Sequence, residues 1–229
     1  ATAIATGWYH SCALLDNSSV KCWGHNQFGQ LGLDNNTHTG DNTGEMAVLP
    51  TVNLGTGRTA TAIAAGDQHS CALLDNASVK CWGINNTGQL GIGNTTHMGD
   101  GSGEMGDNLP VVDLGTGRTA TAIAAGSFHT CALLDNASVK CWGNNGAGQL
   151  GIDNTTHMGD STWTSPIVGG SMALLTSIDL GTGRTATAIA AGTSHNCALL
   201  DDASVKCWGA NNYGQLGIDN NTNMGDNTG

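Results

Sequence analysis

Four times in this chain a histidine stands two residues before a cysteine, and a second cysteine closes the set ten residues later. The sets are His10-x-Cys12 with Cys22, His69-x-Cys71 with Cys81, His129-x-Cys131 with Cys141, and His195-x-Cys197 with Cys207. Imidazole and thiolate are zinc donors, so each set offers three potential ligands. No fourth ligand recurs beside them. An even cysteine count with one pair per unit is the pattern of a disulfide framework, which consumes the thiols. We read the eight cysteines as disulfides and the four histidines as buried, hydrogen-bonded structural groups, with zinc as the alternative. No metal site is assigned.

Three further groups have types that could do chemistry. His38, His97 and His157 lie in a loop N-x-T-H-x-G-D, where Asn223 takes the fourth position; Asp41, Asp100, Asp160 and Asp226 follow. These donors could associate weakly with Ca2+, but their spacing is not that of an EF-hand, and a solvated polar loop is the simpler reading. No cofactor is expected. Trp23, Trp82, Trp142 and Trp208 each end an expected strand, in C-W-G. They could form a light-sensing or ligand-stacking cluster, but one tryptophan per unit at a fixed position reads as packing between units. Asn35, Asn94, Asn154 and Asn220 share one loop position after Q-L-G, each with Thr two residues on, and are candidate N-glycosylation sites. Asn17, Asn76 and Asn136 also form sequons, as does Asn85, but the first three read as turn formers because Asp202 replaces them in the fourth unit. No nucleophile elbow or phosphate-binding glycine-lysine loop is present. The one local break in the repeat, Ser161 to Ser177 with Trp163 and Pro166, lacks ionisable side chains and reads as a docking loop.

The elements that hold these residues recur. The block G-x-x-H-x-C-A-L-L-D-[ND]-[AS]-S-V-K-C-W-G-x-[NQ]-x-x-G-Q-L-G runs from Gly7 to Gly32, Gly66 to Gly91, Gly126 to Gly151 and Gly192 to Gly217. A unit repeated about every 60 residues cannot bury its apolar face alone and must stack on its neighbours. Two apolar runs around Asp-Asn read as a β-hairpin, with Asn supplying the positive φ. Centred on Asn17, that hairpin sets Cys12 opposite Cys22 and Leu14 opposite Val20, close enough for a disulfide. The pairs expected are Cys12–Cys22, Cys71–Cys81, Cys131–Cys141 and Cys197–Cys207. A strand A-T-A-I-A-x-G of small residues precedes each hairpin and suits a crowded interior. A fourth strand is expected around L-P-x-V-[ND]-L, at Leu49 to Leu54, Leu109 to Leu114 and, more loosely, Leu174 to Leu180.

About four antiparallel strands per unit make one blade of a β-propeller, so the fold class is all-β. The blades divide the chain at 1–59, 60–119, 120–185 and a truncated 186–229. Four repeats form a partial or open propeller, with ends that read as cut from a longer array or completed by another chain.

These motifs closely resemble the repeats of the regulator-of-chromosome-condensation family. That repeat carries G-x-x-H-[ST]-x-A-L, V-x-x-W-G and N-x-x-G-Q-L-G, matched here by G-D-Q-H-S-C-A-L-L, V-K-C-W-G and N-N-T-G-Q-L-G within residues 66–91. The resemblance implies propeller blades, typically seven per closed ring. The cysteine pairs and long loops look like secreted members rather than the nuclear exchange factor. Family functions range over nucleotide exchange, light sensing and enzyme inhibition, so fold alone does not set function.

Composition narrows the choice. Charged residues make up 11% of the chain and the formal net charge is −11. The seven cations are Lys21, Lys80, Lys140, Lys206, Arg58, Arg118 and Arg184, one per repeat position, so no basic patch forms and nucleic acid is not expected as a partner. No run of 18 apolar residues exists, and no membrane span is expected. The absence of a visible signal peptide or initiator Met suggests a mature or trimmed segment. The disulfide framework implies an oxidising, extracellular setting. The expectation is a secreted, non-catalytic structural protein of a surface appendage, fibre or matrix, partnered by other copies or sister chains and carrying N-linked glycans. The alternative is a secreted propeller that grips a protein partner through its loops, for which Phe28, Phe128, Tyr9 and Tyr213 look too scattered to form a patch.

Overall fold

The computed structural model describes residues 1–160 and 171–227. Ten residues of the Ser161–Ser177 insertion, 161–170, lie outside the described residues.

Each repeat folds into one antiparallel sheet of three strands. The first sheet holds β1 (Ala3–Thr6), β2 (His10–Leu14) and β3 (Val20–Gly24). The second holds β4 (Ala60–Ala65), β5 (His69–Leu74) and β6 (Val79–Gly83). The third holds β7 (Ala120–Ala125), β8 (His129–Leu134) and β9 (Val139–Gly143), and the fourth β10 (Ala186–Ala191), β11 (His195–Leu200) and β12 (Val205–Gly209). A four-residue helix, α1 (Glu45–Val48), is the sole α-helix among the described residues. First strands of successive sheets pack on one another, β1 on β4, β4 on β7 and β7 on β10. That convergence explains their Ala and Thr content, since larger side chains would hold the backbones apart.

Hairpin register follows from alternation. Cys12 faces Cys22 and Leu14 faces Val20, and the same pairing recurs in every blade. All four disulfides close within their own hairpin, with Cα atoms 4.1 Å apart at Cys12–Cys22 and 4.0 Å apart at Cys197–Cys207. The turn corrects one expectation. The left-handed residue is not the asparagine but the one after it: Ser18, Ala77, Ala137 and Ala203, with φ between 60° and 66°. The Asn17 side-chain oxygen accepts hydrogen bonds from the Ser19 backbone N–H and hydroxyl, and Asn76, Asn136 and Asp202 repeat this. The side chain thus fixes the turn from a conventional backbone position.

The blade has three strands rather than about four. The L-P segment approaches the outer edge of β3 through a single ladder bond, Val52 N–H to the Val20 carbonyl at 2.8 Å, matched by Val112 to Val79 and Ile178 to Val139. Pro50 and Pro110 cannot donate, but the third repeat has no proline there and shows the same single bond. The cause is side-chain anchorage: Leu49, Val52 and Leu54 are buried, so the segment runs where its apolar groups seat. The other end of the β3 edge is closed by a second short contact, Gly24 with Thr39.

Alternation gives each blade two distinct faces. His10, Cys12, Leu14 and Val20 point forward to the next blade, whereas Ser11 and Trp23 point back. The core is the stack of these faces. Leu73 and Leu133 are buried forward against the next blade, and Trp82 and Trp142 are buried backward with no exposed area.

Candidate functional site at the blade junctions

The histidines, tryptophans and polar strand residues meet between blades. The carbonyl of Gln30, in the G-Q-L-G turn of blade one, accepts two hydrogen bonds from blade two: the Trp82 Nε1–H at 3.1 Å and the Ser70 hydroxyl at 2.9 Å. Gln89 receives Trp142 and Thr130 from blade three, and Gln149 receives Trp208 and Asn196 from blade four. In the opposite direction His10 Nε2 lies 2.8 Å from the Ser70 hydroxyl oxygen, His69 2.9 Å from Thr130 and His129 2.9 Å from the Asn196 side-chain carbonyl. Each junction is therefore a histidine–polar–carbonyl relay with an indole beside it.

The relay sets the histidine tautomer. Ser70 spends its one hydroxyl proton on the Gln30 carbonyl, so His10 Nε2 must donate to it; the Asn196 oxygen, which only accepts, requires the same of His129. Nδ1 of His10, His69 and His129 is left as a lone pair without a partner. Burial, reinforced by neighbouring imidazoles, lowers the pKa of His10 to about 4 and of His69 to about 3. Burial likewise brings His129 to about 4, partly opposed by the Asn196 hydrogen bond. These rings are neutral and stay so well below neutral pH.

Glycine is required where the indole arrives. A Cβ on Gly91, which has φ +68°, would lie 2.7 Å from Trp142 Nε1, and one on Gly32 would lie 2.9 Å from Trp82 Nε1. Loops add a second tie between blades: the Asp34 carboxylate accepts the Glu104 and Met105 N–H groups at 3.1 and 2.8 Å. Most of the cations are absorbed locally. Lys80 Nζ donates to the Leu54 and Gly106 carbonyls, and Arg58, Arg118 and Arg184 pair with Asp75, Asp135 and Asp201 of the adjacent turns.

The candidate cation loop has a structural role. His38 Nδ1 accepts the Asn26 backbone N–H at 3.0 Å, His97 and His157 do the same for Asn85 and Asn145, and the Asn223 oxygen substitutes in blade four. Among the described residues no three His, Cys, Asp or Glu side chains gather as a metal site. Asn35, Asn94, Asn154 and Asn220 are exposed, and each takes a backbone N–H two residues on into its side-chain oxygen. The buried Asn26, Asn85, Asn145 and Asn211 clamp the same loops from inside, a role their position in the repeat could have signalled.

A further correction concerns the aromatic residues. Trp8 and Tyr9 are exposed and stacked, with centroids 5.0 Å apart and planes 16° from parallel. Tyr9 continues to His25, His25 to Phe28 and to His38, and Phe28 meets His97 edge-on at 5.3 Å. Tyr9 and Phe28 thus belong to one aromatic row across blades one and two; Phe128 and Tyr213 stand apart from it.

Comparison with known families falls on the same units. The regulator of chromosome condensation (RCC1) repeat matches residues 1–30, 60–89, 120–149 and 186–215, each ending on the junction glutamine, and a second profile of that repeat matches 19–73 and 78–133. The chain belongs to the RCC1 repeat family. Protein pim1 of Schizosaccharomyces pombe is 31% identical over 215 residues, covering 92% of this chain and 37% of its own length. The ultraviolet-B receptor UVR8 of Arabidopsis thaliana is 29% identical over 96% of this chain and 43% of its own. The probable E3 ubiquitin-protein ligase HERC4 of Homo sapiens is 29% identical over 96% of this chain and 18% of its own. The chain thus spans less than half the length of these relatives. In three dimensions it superposes on yeast RCC1 (Prp20), solved bound to Kap60, with a TM-score of 0.72 at 24% identity, covering 97% of this chain and 47% of that one. Human WBSCR16 gives 0.71 at 21% identity over 97% and 51%. The fold is that of an RCC1-type β-propeller, here four three-stranded blades of it.

Proposed function

We propose that this chain is a non-catalytic, extracellular scaffold: a disulfide-stapled propeller segment in a surface appendage, fibre or matrix, joined to other copies or sister chains. The observation that carries the reading is how the chemically capable residues are used. Cysteines are closed in hairpins, histidines and tryptophans are spent on blade junctions, and loop histidines hold backbone. Four hairpin disulfides favour an oxidising compartment, because cytosolic thiols are kept reduced. The exposed Asn35, Asn94, Asn154 and Asn220 are positioned to carry N-linked glycans on that surface. No cofactor is needed for this role. No described helix is long and apolar enough to cross a membrane, and the acidic surface offers nothing to nucleic acid.

The test is fractionation of the source cells followed by peptide mapping without reduction. The protein should appear in the external fraction, in particles larger than one chain, with the four intra-hairpin disulfides intact and hexosamine on the four loop asparagines. Recovery as a reduced, unmodified single chain from the cytosol rules the reading out.

One observation favours a second reading, a propeller that binds a partner through its loops. Trp8 and Tyr9 are 60% and 62% exposed at the head of the aromatic row, the kind of rigid amphipathic surface that interfaces use. A Trp8→Ala/Tyr9→Ala variant that assembles normally but loses capture of an external ligand separates the two roles.

A further inference from the structure

Three sequons stand where no blade junction uses them. Asn17-Ser18-Ser19, Asn76-Ala77-Ser78 and Asn136-Ala137-Ser138 form the hairpin turns of the first three blades, and all three asparagines are exposed. The Oδ1 of each accepts the backbone N–H and the hydroxyl of the serine two residues on. Nδ2, the atom to which an N-linked glycan attaches, makes no hydrogen bond in any of the three among the described residues. The loop sequons are held more tightly. Asn35, Asn154 and Asn220 donate Nδ2 to the carbonyl two residues back while Oδ1 takes the threonine N–H two residues on. Asn85 is the opposite extreme. It is fully buried, with Nδ2 donating to the Asn94 and Thr96 carbonyls at 2.8 and 3.0 Å and Oδ1 accepting the Leu90 N–H at 3.0 Å. Turn and loop sequons also leave from opposite ends of the hairpin, because Leu14 pairs with Val20 beside the turn and His10 pairs with Gly24 where the loop begins.

We infer that Asn17, Asn76 and Asn136 carry N-linked glycans, a row of them along the turn end of the blades, and that Asn85 is bare. In the transfer, Nδ2 bonds to the anomeric carbon of a lipid-pyrophosphate-linked oligosaccharide, gives up one of its two protons and releases the lipid pyrophosphate. A glycan placed on the emerging chain is compatible with folding only where the folded Nδ2 faces solvent and has a proton to spare. The turn asparagines meet both conditions. The bonds that fix the turn run through Oδ1, which glycosylation leaves free to accept from the serine. Asn85 meets neither, since both Nδ2 protons are spent on carbonyls inside the fold and a sugar there would be buried. Blade four builds the same turn with Asp202, whose carboxylate repeats both serine bonds, so the row stops at three. The inference rests on the extracellular reading and names a second modified surface, across the hairpin from the loop asparagines.

The test is site mapping on native protein, treated with peptide-N-glycosidase in heavy-oxygen water so that each formerly glycosylated asparagine becomes a labelled aspartate. Label is expected at Asn17, Asn76 and Asn136, and none at Asn85. The variant Asn17→Asp/Asn76→Asp/Asn136→Asp, expressed in the source cells, removes the acceptor nitrogens and keeps the turns, as Asp202 does in blade four. It should show the circular dichroism of wild type, retain the four hairpin disulfides and lose three glycan steps of electrophoretic mobility. Native protein with unlabelled turn asparagines overturns the inference, as does label at Asn85 in folded protein or a triple variant that migrates like wild type. External, disulfide-intact assemblies with bare turns leave the scaffold reading standing and strike only the glycan row. A reduced, unmodified chain recovered from the cytosol strikes both.

Discussion

Acid should loosen the blade stack through its buried histidines. His10, His69 and His129 are neutral donors in the folded chain, with pKa values of about 4, 3 and 4, against 6.5 for the free side chain. The unfolded chain therefore binds protons that the folded chain refuses. Stability is fully present above pH 6.5 and falls as pH drops below it, until the folded rings titrate near pH 4 or lower. At pH 5 each histidine removes about 2 kcal/mol, and the three together about 6 kcal/mol, by proton linkage. That is comparable to the whole stability of a typical domain, about 5–15 kcal/mol. Urea unfolding followed by tryptophan fluorescence at pH 7.5, 6 and 5, disulfides intact, reads the effect. The midpoint should fall by about 2 M between the extremes for a slope near 3 kcal/mol/M. His69→Gln keeps a donor at the junction; it should lower stability at pH 7.5 yet lose about one third of the pH dependence. An unchanged midpoint between pH 7.5 and 5, or a His69→Gln variant with the full slope, refutes the neutral-donor assignment.

Other consequences are local. Gly91→Ala should lower the melting temperature by several degrees, since its Cβ meets Trp142 and its φ is positive, whereas Gly103→Ala, with φ +79° and open space, should cost only about 1 kcal/mol. Ala77→Gly relieves a left-handed alanine and should stabilise by about 0.5–1 kcal/mol after the entropy of the unfolded chain is counted, read as a rise in the urea midpoint. Replacing Cys71 and Cys81 together by serine should cost about 2–3 kcal/mol by the loop-entropy argument. Peptide mapping of wild type should find Cys71 joined to Cys81 and to no other cysteine.

The hairpin was legible because its information is local: alternation and one cysteine pair fix both register and faces. Whatever depends on the next blade was not. That His10 donates to Ser70, sixty residues away, follows only once the blades are stacked, and the Gln30 carbonyl carries no sequence signature as an acceptor. The turn misled because Asn17 suits left-handed backbone better than Ser18 does, yet the side-chain bonds from Asn17 to Ser19 hold Asn17 out of it and leave the next residue left-handed. The fourth strand failed because apolar content does not separate a paired strand from a segment anchored by its side chains. The aromatic row could have been found, since the register that pairs His10 with Gly24 also places Tyr9 beside His25.

The most direct measurement is electron microscopy of native, source-derived material with its glycans intact. Filaments or sheets whose repeat is built from these blades are the result the scaffold account predicts. Discrete closed rings with no contact between particles contradict it and make the protein a soluble binding propeller.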